Sequence, residues 1–251
     1  MKSERTLAYI NMFAILKDLE VLVKLDDEAK KIASVNPPIS IGFNVTDGPQ
    51  ATLTFDNGNC TMTEGMGGKI KLKLKSPEHL NQMIDGTKNP TPYGGFTKIG
   101  FLTKDFIKLT DILTKYLKAT PEDLADRAFF EKSTEMMFYL IANALSAIGN
   151  YDEIGKVSAS KIPDGTISME IGGGPCAEIV VEGGHMATYN RKAENPRAYM
   201  IFRDMDVARG LFEGTVESMS AIATGEIQMK GFIPMIDNLN KLLARVAMYL
   251  G

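Results

Sequence analysis

The chain has 251 residues, of which 44% are hydrophobic and 24% charged, a composition typical of globular domains and not of disordered segments. Its 28 Lys and Arg residues against 31 Asp and Glu residues provide no overall basic field for a phosphate backbone, so nucleic acid is not an expected partner. Two cysteines are too few for a disulfide or metal scaffold. The length favours two domains, since domains most often have about 100–150 residues.

The N-terminal sequence favours a helix over a secretory signal. An apolar run from Leu7 to Leu16 follows a charged start, but no small-residue cleavage site precedes Lys17. The most apolar later run, 136–148, contains Asn143 and is shorter than the roughly 20 residues of a membrane helix. We therefore expect a cytoplasmic protein with reduced thiols.

The first half of the chain predicts a helix followed by strands. Leu7, Ile10 and Phe13 begin an apolar series at spacing three, which favours an amphipathic helix. Alternation of apolar residues, interrupted by a turn at 47–49, predicts strands at 39–45, 51–55 and 70–74.

The remainder of the first half predicts two more helices and a strand. Ser76 is suited to cap the start of a short helix, and Gly86 is placed to end it in a left-handed conformation. A strand containing Ile99 and Phe101 is then expected, before a helix over 106–116.

The second half repeats this order of elements. An apolar face predicts a helix over 129–145, and Asp204 and Gly214 bound a short helix as Ser76 and Gly86 do in the first half. The remaining predicted elements are strands at 167–171, 177–181, 199–202 and 226–230, a turn at 172–175, and helices over 215–223 and 236–250.

The two halves align as a tandem duplication. Setting Gly48-Pro49 over Gly174-Pro175 gives a shift of 126 residues, which matches Leu19 with Leu145, Asp26 with Asp152 and Ile41 with Ile167. After a two-residue insertion the shift is 128, which matches Gly86-Thr87 with Gly214-Thr215. Thr120 and Pro121 offer helix-start signals near the junction. We therefore predict two domains, 1–118 and 119–251.

The segment 199–243 resembles the lipid-binding domain of the sterol carrier protein 2 family. It combines an alternating strand, a short helix ending in Phe212-Glu213-Gly214, an alanine-bearing helix, and the strand Gly225–Gly231 before a leucine-rich helix. The similarity covers residues 155–251, and the first half resembles the same pattern more weakly through its alignment. The resemblance implies an α+β fold, with two tandem units that each have a roughly five-stranded sheet covered by helices.

The family resemblance also implies an apolar tunnel for a sterol, fatty acyl chain or similar lipid, without catalytic residues. The first half departs from the pattern at Pro90, Pro92, Gly94 and Gly95, where the second half has 218–223. These residues are expected to break the helix that would line a tunnel. We therefore expect the first unit to be a structural partner without a ligand.

Few residues point to catalysis. His79 and His185 occupy unmatched positions, so surface histidines are favoured over a base or a metal ligand. The glycine-rich segments 65–69 and 172–174 lack the spacing and the following helix of phosphate loops, which favours hairpin turns.

The acidic and thiol side chains have similarly structural interpretations. Adjacent acids at 26–28 and at 152–153 favour solvated helix ends over a metal site or acid–base pair. Cys60 and Cys176 are expected to be packed or inert thiols, because no cationic cluster lies nearby in sequence. We expect no catalytic residue, no metal and no cofactor.

Methionine is the feature of the composition that suits a lipid site. The chain has 15 Met and no Trp, and unbranched thioethers adapt to flexible hydrocarbon, although Met also fills ordinary cores. The predicted lining of the second unit is Met200, Phe202, Leu211, Phe212, Met219, Ile222, Ile227, Met229, Phe232, Met235, Ile236 and Leu239.

The sequence therefore predicts a non-enzymatic carrier of a fatty acid, acyl chain or sterol-like lipid, compatible with transient membrane contact. An alternative is a structural or protein-interaction module, with the two halves as a pseudo-dimer and no ligand. A third is an enzyme with a bound cofactor, although no convergent polar set is visible in the sequence. The oligomeric state is left open.

Overall fold

The computed structural model describes residues 2–250 and divides the chain into two compact units. Unit 1 comprises Ser3–Pro121, and unit 2 begins at Glu122. Within the described residues, ten strands form two five-stranded sheets, each packed with helices. The predicted α+β class, with two units of this kind, is confirmed.

Unit 1 begins with helical segments, continues with four consecutive strands, and ends with a helix, a fifth strand and further helical segments. Its helices are α1 (Glu4–Ile10), α2 (Leu19–Leu25), α3 (Asp27–Ala33), α4 (Pro77–Ile84) and α5 (Ile107–Leu117). Its strands are β1 (Ile39–Val45), β2 (Gln50–Asp56), β3 (Asn59–Glu64), β4 (Ile70–Leu74) and β5 (Thr91–Gly94). Two π-helical segments, Asn11–Ile15 and Phe101–Phe106, extend the helices around them, and the short helix α6 (Pro121–Leu124) follows.

Unit 2 has a similar succession, with one long helix where unit 1 has α1 and α2, and an additional short helix before its last strand. Its helices are α7 (Arg127–Tyr151), α8 (Glu153–Ala159), α9 (Met205–Phe212), α10 (Ser218–Ala223) and α11 (Ile233–Leu250). Its strands are β6 (Gly165–Ile171), β7 (Cys176–Glu182), β8 (His185–Tyr189), β9 (Ala198–Phe202) and β10 (Ile227–Gly231).

The two sheets have the same topology. The strand orders are β3-β2-β1-β4-β5 and β8-β7-β6-β9-β10, and the central pairs β1/β4 and β6/β9 are parallel while the others are antiparallel. Ile41 pairs with Ile70 in unit 1, and Ile167 pairs with Ala198 in unit 2. These registers reproduce the sequence shifts of 126 and 128, so the predicted repeat is confirmed at the level of individual backbone pairs.

The predicted caps of the short helices are also confirmed. Ser76 Oγ accepts a hydrogen bond from the N–H of His79 at 3.2 Å, and Asp204 accepts one from Val207 at 2.9 Å. Gly86 and Gly214 have φ values of +70° and +72°, a left-handed conformation that is costly for residues with a Cβ. Matched capping residues and glycines therefore bound the same helix in both units.

The prediction of a strand at Ile99 and Phe101 is wrong, because both residues are helical. The fifth strand lies earlier, at Thr91–Gly94, in the segment whose prolines and glycines exclude the helix found at the matched position of unit 2. Proline is tolerated there because β5 is an edge strand with a register shift opposite Lys71 and Leu72. The polar edge strands β3 and β8 were not predicted.

The interpretation of His79 as a solvated histidine is also wrong. Its side chain is only 9% exposed, its Nδ1 accepts a hydrogen bond from the N–H of Lys75 at 3.1 Å, and its Nε2 lies 3.0 Å from the carbonyl oxygen of Asn89. The imidazole therefore ties α4 to the two chain segments beside it. His185 is exposed, as expected.

Candidate functional site

Three methionines form a row across the sheet of unit 2. Met169 on β6 pairs with Met200 on β9, and Met200 pairs with Met229 on β10. Residues directly paired across strands point to the same face of a sheet, so the three thioethers are neighbours. Met169 and Met200 are buried, and Met229 is half-buried. We call these three side chains the methionine row.

The equivalent row of unit 1 contains a phenylalanine, a leucine and a proline. Phe43 pairs with Leu72, and Leu72 pairs with Pro92, at the same strand positions. Phe43 belongs to a cluster of four phenylalanines in which ring centroids lie 5.3–6.3 Å apart, completed by Phe55, Phe101 and Phe106. Unit 1 therefore fills this part of its interior with its own aromatic rings.

The matched positions of unit 2 carry smaller or more flexible side chains. The shift of 126 residues matches Phe43 with Met169 and Phe55 with Val181. Phe202 supplies a ring elsewhere on this face, at 5.5 Å from the ring of Phe212 on α9. At these two positions unit 2 therefore has a flexible thioether and a smaller aliphatic side chain in place of the rings of unit 1.

Helix α11 lies against the half of the sheet that holds β9 and β10, and it also packs on α7 and α8. Its buried stripe includes Met235 and Leu239, which are 0% and 1% exposed. Asn240, the next residue of α11, places its Nδ2 3.4 Å from the sulfur of Met229. The methionine row and α11 thus border the same part of the interior.

The twelve residues predicted to line a tunnel occupy three kinds of position. Five are buried: Met200, Phe202, Ile227, Met235 and Leu239. Five are half-buried: Leu211, Phe212, Ile222, Met229 and Ile236. Two are exposed: Met219 and Phe232. Because Ile227 pairs with Phe202 and Met229 with Met200, four of the twelve share one face of the sheet.

The two exposed residues lie outside the buried group. Met219 on α10 is 70% exposed, and Phe232, which precedes α11, is 41% exposed with the guanidinium of Arg197 at 4.9 Å from its ring centroid. The predicted lining did not include Met169, although the repeat alignment matches Met169 with the apolar residue Phe43 and so indicates an inward-facing position. Asn238, on the buried stripe of α11, was also missed.

A carboxylate fixes the C-terminal end of α11. Asp152 accepts hydrogen bonds from Arg245 Nη2 at 2.6 Å, Tyr249 Oη at 2.8 Å and the N–H of Gly155 at 2.8 Å. Burial raises the pKa of the Asp152 carboxyl, but the bonds from Arg245, Gly155 and Tyr249 outweigh burial and hold this pKa below its ordinary value. The prediction of a solvated helix end is therefore wrong for Asp152, which is 3% exposed.

Unit 1 contains the simpler form of this contact. Asp26 caps α3 by accepting from the N–H of Ala29 at 2.8 Å, and the hydroxyl of Tyr116 donates to it at 2.9 Å. Aligning Tyr116 with Tyr249 places Ile112 where unit 2 has Arg245. The cationic partner is therefore specific to unit 2.

Both cysteine thiols have a raised pKa, which disfavours the reactive thiolate. Burial, with a smaller contribution from Glu20, raises the pKa of the Cys60 thiol, and burial also raises that of Cys176. Across residues 2–250, no group of three or more His, Cys, Asp or Glu side chains is arranged to hold a metal ion. Over the same range, no helix has both the length and the apolar content needed to cross a bilayer.

Comparison with known proteins gives matches among solved structures. No family model and no curated protein matches the chain. The matching structures include proteins described as sterol carrier proteins, and the likeness expected from the sequence is therefore found. All of these matches have identities of 20% or less and TM-scores of 0.34 or less, so the likeness concerns the fold alone.

Three matching structures illustrate the coverage. A "UbiJ-SCP2 Ubiquinone synthesis protein" is 17% identical with a TM-score of 0.34, over 43% of this chain and 88% of that protein. A conserved hypothetical protein of Thermus thermophilus, described as possibly a sterol carrier protein, gives 20% and 0.33, over 44% and 86%. The apo form of Sterol Carrier Protein 2 from Yarrowia lipolytica gives 16% and 0.29, over 41% and 90%.

Proposed function

We propose that unit 2 binds and carries a lipid or another apolar small molecule, without enzymatic activity, between the methionine row and α11. The observation that carries this proposal is the contrast between matched rows, Met169–Met200–Met229 in unit 2 and Phe43–Leu72–Pro92 in unit 1. Thioethers adapt their rotamers to an irregular guest, whereas aromatic rings and proline hold one shape. On this basis unit 1 is a structural partner.

Hydrocarbon burial is sufficient to drive such binding. Transferring about ten methylenes out of water contributes roughly 8 kcal/mol before ordering costs, at about 0.8 kcal/mol for each. Useful affinity therefore requires little polar recognition. Fatty acids, acyl chains and sterol-like lipids all provide enough apolar surface, and we propose this class as the ligand.

The first experiment identifies a ligand directly. The full chain is purified under mild conditions, examined by native mass spectrometry, and extracted for lipid analysis. We expect a bound apolar molecule, or binding of a fluorescent fatty acid to the delipidated protein. A ligand-free protein that also ignores the fluorescent probe would overturn the proposal.

A pair of exchanges between the matched rows tests the location. Met169→Phe places the unit 1 residue in the methionine row and should abolish binding, because the ring occupies space that the guest needs. Phe43→Met is the matched control, and it should leave binding unchanged because it alters unit 1. Circular dichroism confirms that both variants are folded. Equal binding by both variants would place the ligand elsewhere.

An interaction module is the second candidate. Its support is the exposure of three large apolar side chains in unit 2, Met219, Phe232 and Ile233, which are 70%, 41% and 76% exposed. Light scattering of the wild-type chain and of a variant with all three changed to Ser separates the candidates. Self-association that the triple variant loses, together with the absence of any ligand, would favour this module.

A further inference from the structure

A buried amide on α11 has one unused hydrogen-bonding atom. Asn238 is 6% exposed, and its Nδ2 donates to the carbonyl oxygen of Pro234 at 2.8 Å. This bond fixes the orientation of the amide, because the reverse orientation would set two oxygens against each other. Asn238 Oδ1 therefore points away from Pro234, and no donor within residues 2–250 reaches it.

The neighbours of Asn238 on the buried stripe of α11 are apolar. Asn238 lies on the buried stripe of α11 beside Met235, Leu239 and Leu242, which are each at most 1% exposed. A buried acceptor without a donor destabilises a folded protein, so such atoms in a protein interior require an explanation. A partner supplied by a bound molecule provides one.

A second buried polar atom in unit 2, the hydroxyl oxygen of Thr134, also lacks a hydrogen-bonding partner within residues 2–250. Thr134 lies on α7, the helix on which α11 packs, and is 0% exposed. The matched residue of unit 1 is Ala8, and the residue matched with Asn238 through the Tyr116–Tyr249 alignment is the half-buried Asp105. Asn238 Oδ1 and Thr134 Oγ1 thus both belong to unit 2, which also holds the methionine row.

We propose that Asn238 Oδ1 accepts a hydrogen bond from a hydroxyl group at the polar end of the bound lipid, so that Asn238 selects a neutral alcohol. This inference rests on the proposed carrier function. An ionised carboxylate has no proton to donate to Oδ1. In unit 2, the buried guanidinium of Arg209 and the half-buried guanidinium of Arg245 are already paired with Glu213 and Asp152.

The test compares two probes, in one of which a methyl group replaces the donor hydrogen of the hydroxyl. Hexadecanol and hexadecyl methyl ether compete with a fluorescent fatty acid for the full-length protein, with palmitate as a third competitor. We expect the wild type to bind the alcohol about tenfold more tightly than the ether, the ratio for one hydrogen bond that would otherwise leave a buried acceptor unpaired. Palmitate at neutral pH should bind more weakly than the alcohol.

Substitution of Asn238 should remove the preference and leave affinity for the ether. In Asn238→Leu the alcohol-to-ether ratio is expected to fall to about one, and the melting temperature of the ligand-free protein should rise because an unpaired buried oxygen is removed. Asn143→Leu is the matched control. Asn143 is also buried in unit 2, and its Nδ2 makes the same bond to the carbonyl four residues earlier, at 2.8 Å. Its ratio should equal that of the wild type.

The outcomes separate this inference from the carrier proposal. A wild type that binds alcohol and ether equally would overturn the role of Asn238, as expected if a trapped water satisfies Oδ1, while the carrier function would stand. A preference that survives in Asn238→Leu would likewise overturn it. A protein that binds none of the three probes would overturn both. The wild-type comparison needs no variant to fold.

Discussion

Removal of the Asp152 carboxylate should loosen the last helix of unit 2. In Asp152→Ala, Arg245 and Tyr249 lose their acceptor, and α8 loses the side chain that caps its N–H groups. The side chains of Arg245 and Asp152 are 15% and 4% exposed, so the guanidinium stays largely out of water after its partner is removed. The variant therefore suffers more than the loss of one surface ion pair.

The expected loss of stability is larger for Asp152 than for Asp26, the matched aspartate of unit 1. Breaking a buried pair by removing one partner costs about 3–5 kcal/mol, and we expect Asp152→Ala to fall in this range. Asp26→Ala removes a helix cap and one tyrosine hydrogen bond, at about 1 kcal/mol each, without stranding a cation. Its expected cost is therefore about 2 kcal/mol.

Hydrogen exchange followed by mass spectrometry reads each unit separately, which a single melting curve of a two-unit protein does not. We expect Asp152→Ala to accelerate exchange throughout α8 and α11 while unit 1 keeps its wild-type protection. Asp26→Ala should accelerate exchange in α3 and α5 by a smaller factor. Equal losses in the two variants, or unchanged protection of α11 in Asp152→Ala, would refute the role assigned to Arg245.

Three further predictions concern acid, backbone contacts and thiols. The pKa of the Asp152 carboxyl is depressed in the folded state. Its contribution to stability is therefore complete above the unfolded pKa of about 4 and is lost as pH falls through the folded pKa. Urea denaturation at about pH 7 and about pH 3 should show that the free energy of unfolding decreases less on acidification in Asp152→Asn than in the wild type. Gly42→Ala should destabilise unit 1 by about 3 kcal/mol, because the new Cβ would lie 2.0 Å from the carbonyl oxygen of Gly67. Gly86→Ala has open space and only a left-handed φ to accommodate, so about 1 kcal/mol is expected in the same assay; the reverse order would contradict this account of Gly42. Cys60 is 4% exposed and Cys176 half-buried, so a chromogenic disulfide reagent should modify Cys176 first and Cys60 only on unfolding; equal rates in the native protein would contradict the burial of Cys60.

Local patterns in the sequence predicted the elements that depend on short-range geometry. The alternation at 39–45 and 167–171, the caps at Ser76 and Asp204, and the glycines that end α4 and α9 all correspond to observed features. These signals are readable because a cap or a left-handed turn depends on residues within three or four positions. The alignment of the two halves then matched each of these features with its counterpart in the other half.

Errors occurred where a local pattern was ambiguous. Ile99 and Phe101 alternate as a strand would, yet they lie in a helical segment whose phenylalanines join the cluster around Phe55. The proline-containing β5 was missed because strand propensity argues against it, while an edge position accommodates it. In both cases packing against distant parts of the unit outweighed the local preference.

The sequence by itself determined the duplication and the apolar periodicity of unit 2, because periodicity and repeat shift are properties of the chain order, whereas the α+β class was implied by the family resemblance. Tertiary structure alone decided which of those residues meet. Met169, Met200 and Met229 become neighbours through strand register, and Asp152 meets Arg245 and Tyr249 across 93 and 97 residues. Likewise, only packing left Met219 outside and Asn238 inside with an unpaired oxygen among the described residues, since burial depends on which surfaces cover a helix and not on its own sequence.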